Sequence, residues 1–314
     1  MRIGNRLLGD ENPCFIIAEI GVNHNGNVEL AKKMIRAAKS CKVDAVKFQN
    51  WITDEIVTQK VAKPKYQRGS DKTQYEMLKK LELSEEDFEE LYDYTKKLGL
   101  VFLSTAEGKR CIDFLEKLNV PAYKVGSPDL TNFPDLTYIA KKGKPIILST
   151  GMATMDEVRE AVEVIKNAGN NQIILLHCTT NYPTKLEDVN MRAMLSMKKE
   201  FNLPIGYSDH TQGMMTSLMA VSLGAIIIEK HFTINKNLEG PDHKSSLIPS
   251  EMKLMVKRIR DVETILGSPI KKPVDSEKEM IRLMRKYIVA KKDIPKDTVI
   301  TEDMLTIKRS DLIE

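Results

Sequence analysis

The sequence predicts a (β/α)8 barrel, the TIM-barrel fold, followed by a short β-rich segment. Eight short apolar runs recur over residues 1–267 and alternate with amphipathic stretches. Most runs are continuous rather than alternating in polarity, which is typical of strands buried on both faces of a parallel sheet. Eight strand–helix repeats favour closure into a barrel over an open sheet.

The predicted strands are short and evenly distributed. They are FIIAEIG (15–21), AVKFQ (45–49), LVFLSTA (100–106), AYKVGS (122–127), PIILST (145–150), IILLHC (173–178), PIGYSDH (204–210) and AIIIEKHF (225–232).

Three of the intervening stretches carry the apolar stripe of an amphipathic helix. The stripes are formed by Ala31, Met34, Ile35 and Ala38, by Phe88, Leu91, Tyr92 and Thr95, and by Met255, Ile259, Val262 and Leu266. The second of these helices should begin after Ser84 as its N-cap and end at Gly99. The long polar stretch from Trp51 to Leu83 predicts an extended loop over the barrel mouth.

The character of the chain changes after Gly267. Residues 268–285 form a polar linker that contains proline, and residues 286–314 follow it. This last segment predicts a short strand, a turn at Pro295, a further strand and a helical turn capped by Thr301. We expect a partial β-rich domain, because the sequence stops soon after Arg309.

Charge and composition narrow the class of protein. The chain has 48 Lys and Arg against 44 Asp and Glu, a balance too even to indicate nucleic-acid binding. No apolar run is long enough to cross a membrane, and the N-terminus lacks the apolar core of a signal peptide. The four cysteines are scattered and include no CxxC pair, which favours reduced thiols in the cytoplasm. We therefore expect a cytoplasmic protein that binds neither nucleic acid nor membrane.

Polar side chains crowd the carboxyl end of every predicted strand, whereas the opposite ends are apolar. In a (β/α)8 barrel the active site lies at the carboxyl ends. Each buried polar group that is left unpaired costs about 1–3 kcal/mol, so a purely structural barrel would not carry this asymmetry. The pattern predicts an enzyme with its active site at this end.

One part of this polar set is cationic and rich in hydroxyl groups, and we refer to it as the cationic wall. It comprises Lys47, Lys124, Thr105, Ser127, Ser149 and Ser208. Lysine charges and hydroxyl donors suit an anion that carries phosphate, carboxylate or both. The alternative for either lysine is a structural ion pair with Glu19 or Asp129.

The second part is a pair of histidines, His210 and His231, at the ends of neighbouring predicted strands. Two imidazoles with oxygen ligands suit a divalent transition metal that keeps open positions. A lone histidine at a strand end would more often be a hydrogen-bonding core residue. That reading stays open for His24 and His177, and Cys178 is interpreted as packing rather than as a nucleophile.

Eight motifs in sequence resemble the sialic acid synthase family. They are AEIGVNHNG, DAVKFQ, YKVGS, PIILSTGM, HCTTNYP, GYSDHT, EKHFT and GPDHKSSL. The tail from Tyr287 to Arg309 is similar to the opening of the C-terminal antifreeze-like (SAF) domain of that family. The resemblance implies a domain-swapped homodimer and a transferase that condenses phosphoenolpyruvate with an N-acylated mannosamine-type aldose. The products are a nine-carbon 2-keto acid and phosphate.

The resemblance also implies roles for individual residues. The metal ligands are His210 and His231, for Mn²⁺ or else Mg²⁺ or Co²⁺. The phosphoenolpyruvate contacts are the six residues of the cationic wall. The sugar contacts are Glu19, Thr180, Tyr182 and Asp242, joined by Arg309 from the partner subunit. Glu19, Lys47, Lys124 and Asp129 are the expected catalytic groups, with Asp129 handling the attacking water.

Three departures from the family pattern concern the sugar. The chain has GSPD where the family usually has GSGE, and STAE where it usually has STPF. These changes introduce Asp129 and place Ala106 and Glu107 in the mouth. Thr180 replaces an asparagine of the N-acetylneuraminate synthases, which favours the legionaminic acid branch. The expected sugar is then 2,4-diacetamido-2,4,6-trideoxymannose rather than N-acetylmannosamine.

Two other functions remain open at this point. A related metal-dependent aldolase of the 3-deoxy-octulosonate type would need a second basic cluster for a sugar phosphate, which Lys63, Lys65 and Arg68 could supply. A non-catalytic binding module is the other alternative, although the complete set of polar strand ends argues against it.

Overall fold

The computed structural model of the chain describes residues 1–64, 67 and 73–310. It divides into two compact units, Met1–Ile265 and Leu266–Glu314. In the first unit eight parallel strands close into a barrel, so the predicted (β/α)8 fold is confirmed.

The barrel strands follow one another around the barrel in chain order, and the last pairs with the first. A short antiparallel hairpin of β1 (Arg2–Ile3) and β2 (Arg6–Leu7) precedes them. The barrel consists of β3 (Phe15–Gly21), β4 (Ala45–Asn50), β5 (Val101–Ala106), β6 (Tyr123–Val125), β7 (Ile146–Ser149), β8 (Ile173–His177), β9 (Ile205–Asp209) and β10 (Ile227–His231).

Helices follow the barrel strands, and most of those in the first unit pack on the outside of the barrel. In chain order they are α1 (Val28–Ser40), α2 (Thr53–Ile56), α3 (Gln74–Leu81), α4 (Glu85–Lys97), α5 (Lys109–Lys117), α6 (Phe133–Ala140), α7 (Met155–Asn167), α8 (Arg192–Phe201), α9 (Met215–Ser222), α10 (Pro249–Leu266) and, in the second unit, α11 (Lys278–Met284). Within the described part of the chain, none of them combines the length and apolar content that a membrane span requires.

Alternate residues of each strand pack into two separate apolar layers. Phe15 and Ile17 of β3 lie in the barrel interior, whereas Ile16 and Ala18 lie in the layer between the strands and the helices. The period of two follows from strand geometry. It means that the side chain two residues after Ile17, that of Glu19, also points into the barrel, at its carboxyl end.

The helix stripes predicted from the sequence are largely buried in α1 and α4, whereas the stripe of α10 is buried at Met255 and Ile259 and exposed at Leu266. All four stripe residues of α1 are buried, as are three of the four in α4. Ser84 caps α4 as expected, because its hydroxyl accepts a hydrogen bond from the Asp87 N–H at 3.1 Å. Gly99 follows the helix with φ +69°, a left-handed conformation that suits glycine.

The expected extended loop between Trp51 and Leu83 is wrong in part, because α2 and α3 lie within it. Met77 and Leu81 of α3 pack with Val22 and Trp51 in a small separate apolar cluster. The helix begins with a capping box formed by Thr73 and Glu76. Most residues of this helix are polar, and one buried i, i+4 pair is too short to produce a recognisable apolar stripe in the sequence.

The second unit contains one two-stranded antiparallel sheet of β11 (Tyr287–Ala290) and β12 (Leu305–Lys308) among its described residues. The expected order of elements is wrong here, since the 3₁₀ turn Glu302–Met304 comes before the second strand rather than after it. Ile288, Val299 and Ile307 are exposed, and the described residues of this unit form no buried apolar cluster.

Candidate active site

A cavity of about 360 Å³ opens at the carboxyl ends of the barrel strands. Most of the residues singled out from the sequence line it together. They are Glu19, Lys47, Thr105, Lys124, Ser127, Ser149, Thr180, Tyr182, Ser208, His210, His231 and Asp242.

Strand register explains why residues distant in the sequence meet here. Glu19 pairs with Lys47 across β3 and β4, and Thr105 pairs with Lys124 across β5 and β6. Because the barrel is closed, the last strand β10 also pairs with β3, and His231 lies opposite Glu19. Neighbouring strands therefore present their last inward-facing residues at one depth.

Lys47 forms a buried ion pair with Glu19. Its Nζ lies 2.8 Å from Glu19 Oε2, and the other oxygen of Glu19 accepts a hydrogen bond from Gln49 Nε2 at 2.8 Å. Burial raises the pKa of Glu19 to about 7, although the charge of Lys47 opposes the shift. The ion pair that the sequence left as an alternative for Lys47 is thus present, inside the cavity rather than apart from it.

Lys124 is bound differently, because hydroxyl and carbonyl oxygens surround it. Its Nζ donates to Ser149 Oγ at 2.7 Å and to the Val125 carbonyl at 3.1 Å. Burial lowers its pKa, and the nearby charge of Lys47 adds to the effect. Two buried ammonium groups in one cavity favour an anionic ligand.

Glu229 is the acidic group between these lysines, and the reasoning from sequence assigned it no role. Its oxygens lie 3.8 Å from Lys47 Nζ and 3.9 Å from Lys124 Nζ, and Ser208 Oγ donates to it at 3.0 Å. Burial opposes its ionisation, but Lys124 and Lys47 hold its pKa below the ordinary value. Its position two residues before His231 on one strand would have identified it, since both must face inward.

Several buried polar atoms at the cavity have no hydrogen bond to any described residue. They include Thr105 Oγ1, Thr180 Oγ1, Glu229 Oε2 and His231 Nδ1. Buried polar groups are almost always paired in native proteins. Their concentration at one cavity indicates that a ligand completes the pairing.

His210 and His231 converge as the sequence predicts, with ring centroids 5.6 Å apart. Nδ1 of His210 lies 2.8 Å from the Thr179 carbonyl, so this nitrogen carries the proton and Nε2 keeps its lone pair. Burial lowers the pKa of His210 to about 4 and that of His231 well below its ordinary value. Both imidazoles are thus neutral near pH 7, as metal ligation requires.

The donor set fits a divalent metal with open coordination positions. The Thr179 carbonyl orients one imidazole in the way that outer partners orient metal-bound histidines. Asp242 Oδ2 lies 3.7 Å from the unbonded Nδ1 of His231. The described residues include no group of three or more His, Cys, Asp or Glu arranged to hold an ion, so the protein would contribute two imidazoles.

Tyr182 and Asp242 form the outer edge of the histidine pair. The Tyr182 ring lies 4.2 Å from the His210 ring and 5.5 Å from the His231 ring, measured between centroids. Burial raises the pKa of Asp242 to about 6. A ligand bound to the metal would meet an aromatic face and a carboxyl group at this edge.

The STAE motif places a further carboxyl group in the cavity lining, that of Glu107. Its backbone N–H donates to the Asn50 carbonyl at 3.0 Å. Burial raises its pKa to about 7, and the charge of Asp129 adds to the shift. Asp129 itself lies at the end of the 3₁₀ turn Ser127–Asp129, next to the residues that line the cavity rather than among them.

The remaining predicted residues lie away from the cavity lining or outside the described residues. Arg309 belongs to the second unit, where it is exposed directly after β12. Lys65 and Arg68, from the alternative basic cluster, fall outside the described residues. His24 and His177 have local partners, since His24 Nδ1 accepts from the Gly26 N–H and His177 Nε2 bonds the Val189 carbonyl.

Known proteins resemble this chain over almost its whole length. It is 47% identical over 313 residues to the N,N'-diacetyllegionaminic acid synthase of Legionella pneumophila, covering 98% of the chain and 88% of the relative. It is 41% identical over 306 residues to the human N-acetylneuraminate-9-phosphate synthase, covering 96% and 85%. The crystal structure of a sialic acid synthetase from Leptospira borgpetersenii superposes with a TM-score of 0.81 at 34% identity, covering 90% of this chain and 94% of that one. The model of the NeuB family matches residues 34–271, and the chain belongs to this family.

Proposed function

We propose that this protein condenses phosphoenolpyruvate with an N-acylated mannosamine-type aldose and releases phosphate. The C3 atom of phosphoenolpyruvate attacks the aldehyde carbon, which forms the new C–C bond. Water adds at C2, and loss of phosphate gives the nine-carbon 2-keto acid. The observation that carries the proposal is one cavity lined by two buried lysines, Lys47 and Lys124, and two buried histidines, His210 and His231.

The cationic wall binds phosphoenolpyruvate. Lys47 and Lys124 balance the charges of its phosphate and carboxylate. The hydroxyl of Thr105 has no hydrogen-bond partner among the described residues and is available to donate to the ligand. Ser127 Oγ accepts from the Gly151 N–H at 3.0 Å and lies 3.2 Å from Cys178 Sγ, so its own proton can be directed into the cavity when the Cys178 thiol is the donor in that contact.

His210 and His231 would hold the divalent ion, for which we propose Mn²⁺, with Mg²⁺ or Co²⁺ as substitutes. A bound ion of this kind supplies Lewis-acid polarisation of the aldehyde oxygen. The chain's own contribution is to keep both imidazoles neutral and directed at one point.

Glu19, Thr180, Tyr182 and Asp242 orient the sugar. Carboxylates accept charge-assisted hydrogen bonds from sugar hydroxyls, which positions the aldehyde against C3. Asp129 is the proposed base for the attacking water. Glu107 is a further carboxyl group that, unlike Asp129, lines the cavity, and its raised pKa of about 7 suits proton transfer.

The exact sugar follows from the features that distinguish this chain. Thr180, with the STAE and GSPD motifs, supports 2,4-diacetamido-2,4,6-trideoxymannose as the substrate. The high identity to the Legionella legionaminic acid synthase supports the same choice. We propose that the reaction takes place in the cytoplasm, where all four cysteines, which are free thiols, would stay reduced.

A product assay by mass tests the proposal. The protein is incubated with phosphoenolpyruvate, Mn²⁺ and a panel of aldoses that includes 2,4-diacetamido-2,4,6-trideoxymannose, N-acetylmannosamine, N-acetylmannosamine 6-phosphate and arabinose 5-phosphate. We expect phosphate release and a nine-carbon acid, with the highest kcat/KM for the diacetamido sugar. Preference for arabinose 5-phosphate would support the octulosonate-type alternative. Tight binding without turnover of any sugar would support a binding module.

A further inference from the structure

A buried ion pair lies directly behind the two histidines, on the opposite face of their strands. Asp209 precedes His210 and Lys230 precedes His231, and the two pair with each other across β9 and β10. Their side chains are completely buried, with Lys230 Nζ 3.0 Å from Asp209 Oδ2. Because strand residues alternate in direction, this pair faces the helices while the histidines face the cavity.

The pair is unusual because it lies in a layer that is otherwise largely apolar. Tyr207 and Ile228 have the same orientation on the same strands, and they pack in the apolar layer between barrel and helices. Burying two charges carries a large desolvation penalty, and apolar residues of similar volume often stabilise a protein as well or better. Stability alone therefore does not account for an ion pair at this position.

The hydrogen bonds of the pair connect the backbone on both sides of His210 to the residue before His231. Asp209 Oδ1 accepts from the N–H and the hydroxyl of Thr211 at 2.9 and 2.8 Å. Lys230 Nζ donates to the Thr211 carbonyl at 2.6 Å. The hydroxyls of Thr216 and Ser217 at the start of α9 donate to Asp209 Oδ2 at 2.8 and 2.6 Å. Each carboxylate oxygen of Asp209 thus accepts at least two hydrogen bonds.

We propose that Asp209 and Lys230 are positioning residues that set the separation and direction of the His210 and His231 imidazoles. The inference rests on the proposed metal site. Asp209 precedes His210 and is a member of the pair, and Thr211 follows His210 and is hydrogen-bonded to both members. The residues on either side of His210 are therefore connected to Lys230 of β10, which opposes an independent shift of His210 along the strand. Neither Asp209 nor Lys230 lines the cavity, so each acts only through the histidines.

Binding of Mn²⁺ alone, measured by electron paramagnetic resonance without substrate, tests this role. The test variant is the double replacement Asp209→Asn with Lys230→Met, which removes both charges at nearly constant volume. We expect Mn²⁺ affinity to fall about 10–100-fold, the usual effect of losing outer partners of a metal ligand. We also expect a changed spectrum of the bound ion, which a loss of global stability would not produce.

Asp44→Asn is the matched control. Asp44 is a buried carboxylate that is paired with Arg6 and Arg260 at 2.7 and 3.4 Å, but it precedes β4 at the amino end of the barrel. Its replacement should lower the melting temperature and leave Mn²⁺ affinity at the wild-type value. An equal loss of affinity in this control would overturn the positioning role, because any buried ion pair would then have the same effect.

Wild-type affinity and spectrum in the double variant would overturn the positioning role alone. Failure of the wild-type protein to bind Mn²⁺, or binding that survives His210→Ala, would overturn the metal site and the positioning role together. If the double variant does not fold, Thr211→Val replaces it. This variant keeps the hydrogen bond from the backbone N–H of residue 211 to Asp209 and loses the one from the hydroxyl. We expect Mn²⁺ affinity to fall by at least about threefold, less than in the double variant. Unchanged affinity would overturn the proposal.

Discussion

Glu229 shows how the chemistry of a single residue in this barrel depends on which face of the strand it occupies. Its neighbour Lys230 points into the helix layer, whereas Glu229 lies in the cavity between Lys47 and Lys124. The two lysines keep Glu229 ionised despite burial. The cavity therefore combines two lysine side chains with at least one carboxylate that lies near both of them.

The histidine pair gives the most direct prediction at this scale. His210→Ala and His231→Ala should each lower Mn²⁺-dependent turnover at limiting metal by at least about 100-fold, because each removes one of the two proposed protein ligands. Steady-state kinetics against Mn²⁺ concentration measures this, with circular dichroism to verify the fold. His177→Gln is the matched control, since His177 bonds the Val189 carbonyl and should not affect metal dependence. Full activity of either alanine variant at limiting Mn²⁺ would contradict the metal assignment.

Glu107 gives a prediction for the pH dependence of stability. Its pKa is raised from 4.5 to about 7 by burial. Between these values the unfolded state is ionised while the folded state stays protonated, so the contribution of Glu107 to stability is lost as pH rises through 7. A glutamine at this position cannot ionise. The melting temperature of Glu107→Gln should therefore exceed that of wild type by a few degrees at pH 8 but not at pH 4.5.

Thermal unfolding across pH 4.5–8 tests this difference. Glu160→Gln on α7 is the control, because Glu160 is exposed and solvated in both states. A difference between Glu107→Gln and wild type that does not change with pH would show that the pKa of Glu107 is not raised in the folded state.

At the scale of elements, the position of β9 depends on close packing against its neighbours. Gly206 faces the barrel interior, and a Cβ atom there would lie 2.5 Å from Leu176 Cδ2 of β8 and 2.7 Å from the Ile227 carbonyl oxygen of β10. Only glycine allows this approach without a shift of a strand. Ser208 and His210 follow on the same side of the chain, so the packing of Gly206 affects the placement of both.

We expect Gly206→Ala to destabilise the protein by about 1–3 kcal/mol, the usual cost of overpacking a barrel interior. The same shift of β9 should lower kcat at saturating substrates, because it displaces Ser208 and His210 together. Chemical denaturation and steady-state kinetics measure the two effects. A variant with wild-type stability would mean that the barrel absorbs the added methyl group without moving β9.

At the scale of the whole molecule, the described residues of the second unit leave apolar side chains exposed. Ile288, Val299 and Ile307 are exposed, and the described residues of this unit form no buried apolar cluster. We propose a homodimer in which the tail from Lys286 onward lies over the barrel mouth of the partner and Arg309 reaches its sugar.

Subunit mixing tests this arrangement. Arg309→Ala should raise KM for the sugar with less effect on phosphoenolpyruvate, and Lys124→Ala should be inactive. Equilibrated mixtures of the two variants should regain up to about a quarter of wild-type activity, because each hybrid dimer has one site with both groups intact. A monomer by light scattering, or no recovery after proven subunit exchange, would contradict the swapped dimer.

The sequence by itself determined the barrel and most of the candidate site. Continuous apolar strands are typical of a parallel sheet that is covered on both faces, and the carboxyl ends of parallel strands meet at one edge. The sequence alone therefore assigns four residues to one cavity, because the period of two determines which positions along each strand face inward. They are Lys47, Lys124, His210 and His231.

Tertiary structure alone decided the features that depend on contacts between elements. The charge state of Glu229 and the raised pKa of Glu107 arise from neighbours on other strands and from burial, neither of which a strand pattern contains. The same is true of α3, whose short apolar face is stabilised by Val22 and Trp51. The ion pair between Asp209 and Lys230 is likewise a feature of the closed barrel. The sequence pattern predicts which way each side chain points, but not which side chain of the neighbouring strand it contacts.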